Sequence, residues 1–148
     1  MKRLSIIAVF FATLAFSSCS ILGSSANNSV AQSLGQTCGA AALGLYQSYK
    51  STGSISLAEP TNLTNALALA TCYTQLSQNK DNSAYRKAFT NGLILSSAGL
   101  ITNQNAATFV NALLGASTLG TVTSTSSATE VRRTQPAITG LIQTLDKK

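Results

Sequence analysis

The sequence predicts an all-α protein, a compact bundle of about five helices whose first two form an antiparallel hairpin. Three observations carry that expectation. The 148-residue chain is 45% hydrophobic with no Trp and only four Tyr and five Phe, so Ala and Leu, the strongest helix formers, dominate its apolar share. Those apolar residues recur in steps of three and four. Between the periodic segments stand clusters of Ser, Thr, Asn, Gly and Pro, the residues that favour turns.

Val30, Leu34, Cys38, Ala41 or Ala42, Leu45 and Tyr49 form one stripe on a first helix, from about residue 29 to 50. Gly35, Gly39 and Gly44 interrupt it, each costing about 1 kcal/mol relative to Ala, which marks them as places of close backbone contact. The GxxxG spacing of Gly35 and Gly39 is read as tight packing, not as a recognition motif. Ser51-Thr52-Gly53-Ser54 ends the helix. The second helix follows Pro60, with Thr61 as N-cap, and reaches Gln78. Leu63, Leu67, Ala70 and Thr74 form one row on it, and Leu69, Cys72, Tyr73 and Leu76 the next. Two adjacent rows predict a wide buried face and a central position.

Asn79-Lys80-Asp81-Asn82 reads as a turn. A third helix over about 83–101 carries Tyr85, Phe89, Gly92 or Leu93, Ser96 and Leu100; a fourth over about 104–117 carries Phe109, Val110, Leu113 and Leu114. No charge stands between Lys87 and Glu130, yet Asn91, Ser96, Ser97, Asn103, Gln104, Asn105 and Asn111 interrupt the apolar run. These are core helices rather than a membrane span, which needs about 20 apolar residues in a row. Residues 119–129 read as a Ser/Thr-rich loop. A last helix starts near Gln135, with Pro136 in its first turn and Ile138, Leu141, Ile142 and Leu145 facing the core. Lys147 and Lys148 complement the dipole at its C-terminal end.

The N-terminal segment has a different pattern. Lys2 and Arg3 precede an uncharged, mainly apolar run from Leu4 to Phe16, too short for a stable membrane span and of the right length for a signal peptide. The run closes on Phe16-Ser17-Ser18-Cys19. Small residues directly before a Cys at this place resemble the lipobox of bacterial lipoproteins. The resemblance covers residues 1–19 and departs from the family pattern at Phe16, where an aliphatic residue is usual. It implies that the Cys19 sulfur receives a diacylglycerol, that the chain is cut just before it, and that palmitate-type acyl chains hold the mature N-terminus in a membrane. No acidic residue directly follows Cys19. By the same resemblance, that points to the periplasmic face of an outer membrane. Ordinary signal cleavage at the small-x-small site Ala15-Phe16-Ser17 is the alternative. The expected organisation is therefore a lipoprotein signal peptide over 1–18, a flexible tether over 19–28 and a helical domain over 29–148.

Charged residues are only 9% of the chain, against about 25% in ordinary soluble domains. Without Lys2 and Arg3 there remain eight basic and four acidic residues, and the basic ones are too scattered for a nucleic-acid footprint. The chain has no His, which removes the commonest general base and metal ligand. Glu59, Asp81, Glu130 and Asp146 are the only acids, widely spaced for a paired-carboxylate site. Neither a Walker loop nor a GxGxxG stands in the sequence. No catalytic residue, cofactor or metal is expected. Arg132-Arg133, beside the Ser/Thr-rich loop, is read as a basic doublet able to contact an anion, or more simply as a solvated face.

Cys38 lies 12 residues before Lys50, and Cys72 lies 11 residues after Thr61. In an antiparallel hairpin at about 1.5 Å per residue, both sit at nearly the same height above the connecting turn. Both also lie on apolar stripes, so a Cys38–Cys72 disulfide is expected, with Gly35, Gly39, Ala42 and Ala68 as small neighbours allowing close approach. The alternative is a pair of buried free thiols, because Cys is also a good small core residue. Lipidation of Cys19 would leave this even pair. The functional expectation is a membrane-anchored periplasmic lipoprotein, non-enzymatic, binding a protein or other envelope component. A carrier of a small apolar ligand or lipid within the bundle is the alternative.

Overall fold

The computed structural model describes residues 24–123 and 125–146, which form six α-helices and one 3-10 turn with no strand among them. Residues 1–23, with the expected signal peptide and Cys19, lie outside the described residues, as do Lys147 and Lys148.

Helix α1 spans Ser24–Thr52, so the helix opens five residues before its expected start at Ser29 and takes in part of the expected tether. It ends where the sequence indicates: Gly53 takes the left-handed φ of 73° and its N–H donates to the Tyr49 carbonyl at 2.8 Å. The following loop is not idle, because Ile55 and Leu57 turn inward and are buried. Helix α2 spans Pro60–Gln78 with Pro at its start. Its N-cap is Glu59 rather than the expected Thr61. The buried Asn62 amide nitrogen lies within hydrogen-bonding distance of the Ser48 Oγ (3.0 Å), the Ser56 carbonyl (3.1 Å) and the Glu59 Oε2 (3.2 Å). One amide thus joins the start of α2, the loop before it and α1, and its burial carries no unsatisfied donor.

Helix α3 spans Ser83–Ser96 and is capped by Asn82, whose side chain accepts from the Tyr85 N–H at 3.0 Å. It stops short of the expected end near residue 101. The buried Ser97 Oγ accepts the Ile101 N–H at 3.0 Å, while Ala98 and Gly99 take left-handed φ values of 49° and 81°. The hydroxyl offers the backbone a turn in place of another helical step. Helix α4 spans Ala106–Gly115, and a 3-10 turn, Ser117–Thr121, follows. The expected loop over 119–129 is therefore partly ordered and partly core, with Leu119 and Val122 buried. It also contains a short helix not expected from the sequence, α5 (Ala128–Arg132), opened by a capping box. In it the Glu130 N–H donates to the Ser127 Oγ at 3.3 Å and the Ser127 N–H to the Glu130 carboxylate at 2.6 Å. Helix α6 spans Gln135–Gln143 and buries Ile138, Leu141 and Ile142, with Leu145 just beyond, as the periodicity predicts.

The packing register follows from residue pairs. Ser48 meets Asn62, Gly44 faces Asn65, and the Leu34 carbonyl meets Cys72, so α1 and α2 run antiparallel. The expected hairpin is present. The most extensive interface of α1, however, is with α3. A side chain at Gly35 would meet Phe89 and Leu93, and one at Gly39 would meet Leu93 and Ser96, so α1 and α3 run parallel. Gly35, Gly39 and Gly92 let the two backbones touch, with no room for even a methyl group at any of the three. The Gly35–Gly39 spacing is thus a packing feature, but it serves α3 and not the cysteine-bearing partner α2. This also moves the buried face of α1: Ala31 is fully buried, whereas Val30, expected on the stripe, is 58% exposed. Helix α2 touches α1, α4, α5 and the 3-10 turn, which gives it the central position its two apolar rows predict.

The far end of the bundle is held by one polar cluster. Lys50 Nζ lies 3.0 Å from Asp146 Oδ1, which also accepts from the Tyr46 hydroxyl at 3.2 Å. Lys50, then Tyr46, hold the Asp146 carboxyl below the usual carboxylate range. The pair is solvent-exposed and adds little stability.

Candidate functional site

Three places collect chemically distinctive groups: the cysteine pair, and two open clefts that hold Arg86 and Lys87 in one and Arg132 in the other. Cys38 on α1 and Cys72 on α2 are level across the antiparallel interface, and both are completely buried. The expected disulfide is not formed: both are free thiols. The Cys72 thiol donates to the Leu34 carbonyl, one turn before Cys38 on α1, at 3.8 Å. Burial, reinforced by the neighbouring Cys72 thiol, pushes the Cys38 thiol well above the usual range. Disulfide formation requires a thiolate and access for an oxidant or a second disulfide, and a neutral thiol in a dry core offers neither. Sequence reasoning found the register and the burial. It could not decide the redox state, because two facing thiols and a disulfide occupy the same stripe positions. We expect Cys38 and Cys72 both to alkylate freely in denaturant, and at least roughly a thousandfold more slowly in the native protein, because reaction awaits opening of the core. Peptide mapping without reductant checks this. A linked Cys38–Cys72 peptide would overturn the free-thiol assignment.

The first cleft, of about 350 Å³, lies between the N-terminal half of α3 and the start of α4. Arg86, Lys87, Thr90 and Asn91 line it from α3, and Asn103 and Ala106 from the other side. The second cleft lies along α6 and is lined by Arg132, Gln135, Pro136, Thr139, Gly140 and Gln143. The Arg132-Arg133 doublet is divided: Arg132 lines this cleft, while Arg133 favours the charged form of the Glu130 carboxyl, which the Ser127 backbone and hydroxyl already hold below its usual range. The doublet that does share one cleft is Arg86-Lys87, which in the sequence alone is scattered surface charge. Its signal is three-dimensional. Nothing in the sequence shows that the amide-rich start of α4 folds back beside it.

The acids are dispersed, with Glu59 at the start of α2, Asp81 in the α2–α3 turn, Glu130 on α5 and Asp146 beside Lys50. Among the described residues no three His, Cys, Asp or Glu side chains gather into a metal-binding group, and no helix is long and apolar enough to cross a membrane. Comparison with family models, curated proteins and solved structures finds no match for this chain.

Proposed function

We propose that this chain is a lipid-anchored lipoprotein of the bacterial cell envelope, on the periplasmic face of the outer membrane, and that its helical domain is a non-enzymatic module that binds another envelope component. The observation that carries the reading is the N-terminal pattern: two cations, a short apolar run, and Ser17-Ser18 immediately before Cys19. The domain's surface chemistry supports a binding role over a catalytic one, because its clefts hold cations and amides but neither a His nor an acid. Both clefts are open, unlike the enclosed apolar chamber a carrier of an apolar ligand requires.

Two acyl chains or more make membrane attachment effectively stable. The membrane fraction should therefore yield a protein that begins at Cys19 and carries the mass of its acyl groups. Cys19→Ser should shift the protein from the membrane fraction to the soluble fraction or leave it uncleaved. A native product that begins elsewhere and carries no acyl mass would overturn the reading.

A further inference from the structure

We propose that the cleft between α3 and α4 is the face this domain turns to an anionic lipid surface, with Arg86 and Lys87 taking a headgroup phosphate. The inference rests on the lipid-anchor reading for its geometry, although the cleft itself is a feature of the fold. The helix register places the cleft. Gly35 on α1 lies level with Phe89 to Leu93 on α3, and Leu34 with Cys72 on α2. Counting back along each helix, the opening of α1, the end of α2 and the first turns of α3 share one end of the bundle. That end carries Lys80 in the α2–α3 turn, then Arg86 and Lys87, with Asp81 beside Lys80 in the turn. Lys50 and Asp146, paired with each other, and Glu59 mark the opposite end.

The chain length fixes how far this end can stand from the bilayer. Only four residues separate Cys19 from Ser24, where α1 begins, so the two are at most about 18 Å apart even when fully extended. A lipid on Cys19 therefore holds the cationic end, rather than the Lys50–Asp146 end, against the headgroups.

The cleft matches a phosphate in charge and in donors. Among the described residues neither Arg86 nor Lys87 has an ion-pair partner, since the one ion pair is Lys50–Asp146. Residues 1–23 contribute no acid to neutralise them. The Asn91 and Asn103 side chains on the cleft wall add amide N–H donors. The adjoining start of α4 adds the positive end of a helix dipole. Each cation brought to an anionic surface strengthens association roughly fivefold, so Arg86 and Lys87 together account for about 25-fold.

The test uses the protein as cells process it, with its intact mass recording whether Cys19 is acylated. The protein is mixed with vesicles of phosphatidylcholine alone, or of phosphatidylcholine with phosphatidylglycerol, and lysine acetylation rates are read residue by residue. On the anionic vesicles Lys80 and Lys87 should be slowed severalfold relative to the neutral ones, and Lys50 should not. Arg86→Gln with Lys87→Gln should remove the slowing at Lys80, whereas Arg86→Lys should retain it, with melting curves confirming that both variants fold. Equal rates on the two vesicle types would overturn the proposal. So would full protection of Lys87 by inorganic phosphate without vesicles, which would make the cleft a site for a free anion. An unacylated mass sinks the anchor reading separately, because the cleft's preference for anionic vesicles is read in the same experiment.

Discussion

Gly92→Ala should lower the stability of the domain by about 3 kcal/mol or more, a large part of the 5–15 kcal/mol a domain of this size typically has. A methyl group at this position would overlap the Gln32 carbonyl oxygen and come within 2.9 Å of its carbon and 3.0 Å of the Gln36 nitrogen. All three atoms are backbone of α1, so no side chain can rotate away and the helices themselves must separate. Separation opens the interface between α1 and α3, the largest in the fold. Gly35→Ala presses from the other side, onto the Phe89 carbonyl and the Leu93 nitrogen, and should have a comparable effect. Gly140→Ala is the control. Nothing lies within 4 Å of its added carbon, so the change should raise stability by about 0.5–1 kcal/mol through helix propensity alone. Urea unfolding followed by circular dichroism measures all three. A Gly92→Ala protein as stable as the parent would show that α1 and α3 do not meet backbone to backbone.

Phe109→Ala and Phe89→Ala should each cost about 3–5 kcal/mol. Both rings are the largest of the fully buried side chains in a core that has no Trp to share the load. Removing one leaves a cavity that helices fixed by backbone contact cannot collapse into. Leu95→Ala and Val30→Ala remove side chains that are apolar too, but 66% and 58% exposed, and should change stability by about 0.5 kcal/mol or less. Comparing the unfolding midpoints of the four variants separates core from surface. If Val30→Ala were as damaging as Phe109→Ala, the rotation of α1 about its axis would be wrong.

Most of the fold was legible because helix formation is a local matter. The steps of three and four located α2, whose N-cap falls two residues before the expected Thr61, and they picked out Leu34, Leu45, Leu69, Leu76, Phe89, Phe109 and Ile138 as core. Gly53 and Pro60 marked an end and a beginning because their backbone requirements are intrinsic. Helix α5 was also legible, and was missed: Ser127 with Glu130 three residues on is a capping-box spacing, hidden inside a Ser/Thr-rich stretch read as a loop. The early end of α3 was not legible in the same way, since Ser97 stops it only by turning its hydroxyl to Ile101 in the folded core.

The sequence by itself determined that this chain makes helices, which face of most of them is apolar, and that Cys38 and Cys72 stand at one height on neighbouring helices. Only the tertiary structure decided that the two thiols remain free, because their access to an oxidant depends on burial contributed by every packed element. It alone decided that Gly35 and Gly39 meet α3, because a glycine announces a close approach without naming the backbone that makes it. It alone brought Arg86 and Lys87 to the start of α4, where two cations and a row of amides share a cleft. Periodicity is fixed by the geometry of one helix; partners are fixed by how several helices share one core, and that information is spread over the whole chain.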